Sequence, residues 1–198
     1  MHSADCDDYL TLVKPLITFS LERVSMVSRT RRIALASIFG VTIWVTMGFL
    51  PAPTSDYLIV VQSLFLALSF LVVGRGGATY VGVVSGLLIS VVKPIFFPLD
   101  LVFATFFGLL VDGLALGLKT KGGGKARTLR LMVAMMVSTG VVGFAAYYVT
   151  AVATNLVPND AVLDLITLAF GVLSGAAGGW GAARIWNTNL KMRFGNGT

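Results

Sequence analysis

The side chains in this chain that could do chemistry inside an apolar environment are few, and they suit recognition better than catalysis. Asp112 is the one carboxylate well inside a hydrophobic run. A bare carboxylate in lipid is costly, so it must face other helices, a cavity or a partner. It would contact a cation or donor group of a ligand, hydrogen-bond a neighbouring helix, or carry a proton. The aromatic and polar candidates are Trp44, Tyr57, Tyr80, Tyr147 and Tyr148, with Asn155 and Asp164. Adjacent tyrosines point in different directions, so one of Tyr147 and Tyr148 faces inward. Such a set would bind a small, flat, polar or cationic solute by stacking and cation–π contact. Belts of aromatic residues at the lipid–water interface are the plainer explanation for several of them, Trp44 included. Asp100 and Asp164 sit at the starts of apolar runs, where water also reaches.

Other chemistries lack their residues. Cys6 is the sole cysteine and His2 the sole histidine, which leaves no disulfide framework, no histidine metal site and no Ser-His-Asp triad. Gly122-Gly123-Gly124-Lys125 resembles a phosphate loop, but Lys119 stands where the first glycine is required and Ala126 where the hydroxyl is required. It reads as a flexible basic loop. No cofactor and no catalytic activity of its own are expected.

The elements that position these residues follow from composition. Of 198 residues, 56% are hydrophobic and 12% charged, with a mean hydropathy of +0.87. Soluble domains carry roughly twice that charge. The net charge of +6 does not suggest nucleic acid, because the basic residues punctuate apolar segments and form no stripe with interleaved aromatics. The expectation is an all-α, multi-pass protein of the cell membrane. Six apolar segments lie at 33–50, 58–73, 77–92, 99–118, 131–152 and 162–183, separated by Pro51 and Pro53, Pro94 and Pro98, Gly122 to Gly124, and Pro158. The second and third are short for a bilayer.

With the amino terminus in the cytoplasm and six crossings, all of the 15 lysines and arginines except Lys93 fall on the cytoplasmic side. Both termini are then inside. The domains read as a cytoplasmic segment 1–30, a six-helix membrane domain 31–187 and a tail 188–198. The first segment begins with Asp5, Asp7 and Asp8, unlike a signal peptide. Its YLTLVKPLITF stretch would lie on the membrane surface, or translation would begin at Met26.

Small residues recur at four-residue spacing, the pattern that lets membrane helices approach closely. The pairs and stripes are Ala36 and Gly40; Gly82 and Gly86; Ala104, Gly108 and Asp112; and Gly171, Gly175 and Gly179. Packing within the bundle accounts for the later ones. The first is equally a docking face for another membrane protein.

From about residue 29 to 192 the chain resembles the substrate-binding S components of energy-coupling factor (ECF) vitamin transporters. The resemblance rests on the basic flank running into RRIALASIFG, six apolar segments in this length, the Ala36 and Gly40 pair, and the basic loop before the fifth segment. It also rests on the closing FGVLSGAAGGWGAARIW. GRGGATYVGVVSGLLISVVKP and FFGLLVDGLALGL look nearest to the hydroxymethylpyrimidine/thiamine-precursor branch. The resemblance implies high-affinity binding of a vitamin or precursor from outside. It also implies docking at Ala36 and Gly40 onto an ECF transmembrane coupling protein, with two ATPase subunits supplying energy. Gly40 stands where the family more often has Ala. That branch also tends to carry acidic groups in its third helix, and Tyr80 to Ser90 has none. A non-transporting scaffold or accessory subunit of a larger membrane complex is the alternative.

The orientation is open to direct labelling. In a Cys6→Ser background, Lys125→Cys is expected to escape a membrane-impermeant maleimide on intact cells and to react after lysis. Reaction on intact cells reverses the assignment.

Overall fold

A computed structural model of the chain describes residues 30–49, 58–94, 97–122, 125–154 and 161–190. The chain divides into two units, Met1–Leu35 and Ala36–Thr198. Of the first, the described residues 30–35 form the opening turns of a helix. Every contact given below lies within the second. The proposed surface segment, the Met26 start and most of the tail lie outside the described residues.

The described residues form six helices: α1 (30–48), α2 (Ile59–Val73), α3 (Gly77–Val92), α4 (Leu99–Gly117), α5 (Thr128–Thr154) and α6 (Ala161–Ile185). The last continues into one π-helical turn, Trp186–Leu190. All six match the apolar segments read from the sequence to within a few residues. The helical runs are rich in Val, Ile and Phe, which helix propensity alone does not favour. Apolar surroundings reverse the balance, because a backbone without water must satisfy its hydrogen bonds within the segment.

Three of these helices are long and apolar enough to cross a membrane: Leu99–Gly117, Thr128–Val149 and the stretch Asp164–Leu190. α2 and α3 are apolar but shorter, at 15 and 16 residues. At about 1.5 Å of rise per residue they measure roughly 22–24 Å, less than the ~30 Å hydrocarbon core.

Contacts between helices fix their directions. On α1, Ser37 bonds Tyr80, Gly40 meets Val81 and Val84, and Met47 meets Lys93, so α1 and α3 run parallel. Gly82 lies against Ala104, Gly86 against Leu101 and Gly108 against Ala78, so α3 and α4 are antiparallel. Gly171, Gly175 and Gly179 lie against Thr139, Met135 and Leu131, so α5 and α6 are antiparallel. Ser63 faces Ser174, and Lys121 reaches both the Leu71 carbonyl near the end of α2 and the Trp186 ring after α6, so α2 and α6 run parallel. Successive helices thus alternate in direction. The second half of α2 lies at the centre, with Leu66 to Val72 all buried.

The glycines make this closeness possible. A Cβ on Gly108 would come within 2.5 Å of the Ala78 carbonyl oxygen, and one on Gly175 within 2.5 Å of that of Met135. Gly82 meets the Ala104 oxygen more tightly still, and Gly178 the Ser63 hydroxyl. The small-residue stripes of α3, α4 and α6 are therefore contact surfaces within the chain.

One expectation is corrected. The basic loop after α4 is not a flexible tether. It is an antiparallel hairpin of two-residue strands, β1 (Lys121–Gly122) and β2 (Lys125–Ala126). Backbone and side-chain bonds seat it. The Arg127 N–H donates to the Thr120 carbonyl at 2.7 Å. The Asn187 side chain pairs with both backbone groups of Ala126, accepting from its N–H and donating to its carbonyl at 3.0 Å each.

Gly82→Ala is expected to destabilise the bundle by about 1–3 kcal/mol, the usual cost of overpacking. Gly113→Ala, where an added Cβ meets nothing within 4 Å, is expected to be neutral or stabilising by up to about 1 kcal/mol. Denaturant titration of the purified proteins in detergent micelles checks both.

Candidate functional site

Asp112 takes its position from a defect in α3. The turn before that helix needs left-handed backbone at Gly74 (φ 90°) and Gly76 (φ 82°), which glycine alone adopts without cost. Gly76 is also the residue that caps α3, and it has no side chain with which to do so. The first N–H groups of a helix lack partners inside it. Asp112 supplies the acceptors from α4. One carboxylate oxygen accepts from the Ala78 N–H at 3.3 Å. The other accepts from the Thr79 N–H at 2.8 Å and the Thr79 hydroxyl at 2.6 Å. Asp112 is 5% exposed. Its negative charge also faces the positive end of the α3 dipole. Of the roles open from sequence, the structure realises the hydrogen bond to a neighbouring helix.

Tyr80 follows directly in the first turn of α3, at the hairpin end of the bundle. It is exposed, and its hydroxyl pairs with that of Ser37 at 2.9 Å. The remaining described candidates lie toward the far end. Trp44 packs edge-on to Phe49, with ring centroids 5.2 Å apart. Its indole N–H is shielded and meets no acceptor among the described residues. Less than one turn further, the Lys93 ammonium donates to the Met47 carbonyl at 2.9 Å, a cation at the negative end of α1. Of the tyrosine pair on α5, Tyr147 turns inward and is half-buried. Tyr148 is 55% exposed and stacks on Phe144. Asp164 is half-buried in the first turn of α6, and Asp100 lies in the first turn of α4. Both face favourable helix dipoles. Tyr57 and Asn155 lie outside the described residues.

The set is therefore divided. Tyr80 and Asp112 belong to the hairpin end, while Trp44, Tyr147, Tyr148 and Asp164 belong to the far end. The docking pair is likewise enclosed. Ala36 is 1% exposed, and a Cβ on Gly40 would stand 2.9 Å from Val84 Cγ1. In this arrangement that face of α1 is occupied by α3. The exposed face carries Ile38, Val41 and Val45 instead.

Three features had little signal in sequence. Lys93 as a tie between α1 and α3 was marked only by being the one basic residue on its side. The Thr139 hydroxyl is buried and meets no partner among the described residues, 2.8 Å from where a Gly175 Cβ would stand. The pairing of Asn187 with Ala126 spans 61 residues and leaves no local pattern. No group of three or more His, Cys, Asp or Glu suited to a metal ion occurs among the described residues. No family model, curated protein or solved structure matches the chain.

Asp112→Asn keeps one acceptor and loses the charge, for an expected loss of about 1 kcal/mol in stability. Asp112→Leu leaves two buried N–H groups unpaired, for about 3 kcal/mol. Thermal unfolding in detergent reads both.

Proposed function

We propose that this chain is the substrate-binding membrane component of an ECF-type uptake transporter for a vitamin or vitamin precursor. It crosses the cell membrane six times with both ends in the cytoplasm. A separate coupling protein and two ATPase subunits supply the energy. The carrying observation is the Trp44 indole, a shielded donor that meets no acceptor among the described residues, at the end of the bundle away from the basic hairpin. Buried polar groups are nearly always bonded, so a solute acceptor at this place would complete it. Tyr147 adds an aromatic surface at the same end, and Lys93 and Asp100 add charge of both signs. The alternation of helix directions and the clustering of cations at the hairpin end support the six-crossing topology. Because Ala36 and Gly40 are enclosed, the coupling protein would contact the exposed Ile38, Val41 and Val45 face of α1.

That same exposed face favours the second reading, a scaffold subunit that assembles with other membrane proteins and carries nothing.

Calorimetry of the purified protein against a vitamin panel tests the first reading. Binding on the order of micromolar or tighter is expected for one member, and Trp44→Phe should weaken it about tenfold through loss of one hydrogen bond. If the unaltered protein binds no member of the panel, the transporter reading fails. Val41→Trp with Val45→Trp separates the two readings. Uptake lost with binding retained fits a transporter, whereas assembly lost with no solute to bind fits a scaffold.

A further inference from the structure

We propose that the hairpin end of the bundle is a binding surface for the headgroups of anionic phospholipids, of the phosphatidylglycerol type. The inference needs a chain embedded in a membrane and does not depend on solute uptake.

Six exposed cations share this end: Arg75, Lys119, Lys125, Arg127, Arg130 and Arg184. They are brought together by the contacts that close it. Lys121 donates to the Leu71 carbonyl at the end of α2, Arg130 to the Leu118 carbonyl after α4, and Asn187 pairs with Ala126. Lys121 itself points inward, 5.0 Å from the centre of the Trp186 ring, and is half-buried. No exposed carboxylate balances the six among the described residues. Asp100 and Asp164 begin helices at the far end, and Asp112 is buried on the α3 amides. The hairpin bonds fix the backbone that carries Lys119, Lys125 and Arg127 beside the ends of α2 and α6.

What lies next to these charges points to a lipid. An exposed stripe runs along α6 through Ile166, Phe170, Leu173, Ala177 and Trp180 and ends on Arg184. The Arg184 guanidinium lies 5.2 Å from the centre of the Trp180 ring. On α5 the stripe of Val141, Val137 and Val133 ends on Leu129, which is 74% exposed between Arg127 and Arg130. Apolar faces followed by an indole and then a cation match the order of acyl chain, interface and phosphate in one leaflet. A soluble anion would cover the charges and leave the stripes bare. A phospholipid covers both, and anionic headgroups gain further from each nearby cation.

The protein in nanodiscs of phosphatidylcholine mixed with phosphatidylglycerol, released and weighed by native mass spectrometry, tests this. Preferential retention of phosphatidylglycerol is expected. The retention ratio should fall about fivefold for each charge removed in Arg130→Gln and Arg184→Gln. It should fall with added salt on the unaltered protein as well, which needs no variant to fold. Glycerol phosphate added in solution should not displace the lipid. Equal retention of the two lipids overturns the proposal, as does a ratio indifferent to salt. Full displacement by glycerol phosphate also overturns it, in favour of a soluble phosphate site.

Discussion

The structure turns on a helix that cannot cap itself. The chain leaves α2 and enters α3 through two left-handed glycines, and the second of them occupies the cap of α3. A cap in that conformation favours the residue that has no side chain to accept a hydrogen bond. The acceptor has to come from elsewhere, and Asp112 provides it from α4. For the carboxylate to reach, the two helix backbones must nearly touch, and Gly82 and Gly108 allow that. One turn, one carboxylate and two glycines therefore form a single requirement. Buried hydrogen bonds in a water-poor setting raise the cost of breaking it.

Around that pair the rest of the bundle follows one rule. Apolar helices surrounded by apolar solvent gain little from hiding side chains, so they associate where backbones fit closely. Small residues stand at close approaches between helices: Gly40 on α1, Ser63 on α2, Gly82 on α3, Gly108 on α4, and Gly175 and Gly178 on α6. Many large apolar side chains also point outward, as Leu165 and Leu173 do on α6, while others such as Leu66, Leu71 and Met135 fill the interior. This inverts the pattern of a soluble protein, whose surface carries the charge.

Much of this was legible in the sequence, for physical reasons. Helix positions were, because long apolar runs broken by Pro and Gly admit one low-energy backbone in lipid. The stripes at Gly82, Gly108 and Gly175 were legible too, since a four-residue repeat marks one helix face. The partner of each stripe was not. Ala36 and Gly40 look the same in sequence whether they face α3 or another protein. Asp112 was recognisable as a residue needing a partner, yet its partners are main-chain N–H groups of Ala78 and Thr79, and amides carry no sequence signature. The hairpin was missed because three consecutive glycines read as slack, while the residues that seat it lie far along the chain. The aromatic candidates were chosen by type and depth, which cannot assign them to one end or the other. Trp44 and Tyr80 are both aromatics on apolar helices, and they sit toward opposite ends.

The pairing of Asn187 with Ala126 has a consequence for how the protein is made. Asp112 and Thr79 are 33 residues apart, so the α3–α4 unit can close soon after both have left the ribosome. Asn187 comes 61 residues after Ala126, and the Ser63 hydroxyl waits 111 residues for the Ser174 carbonyl. Distant pairs close late, because the intervening chain must be present first. The biosynthetic sequence is thus staged: the α3–α4 hairpin closes early, and the basic rim and central helix stay open until α6 and the turn after it are translated. A nascent chain halted before α6 would present the buried face of α2 to lipid and to quality-control proteases.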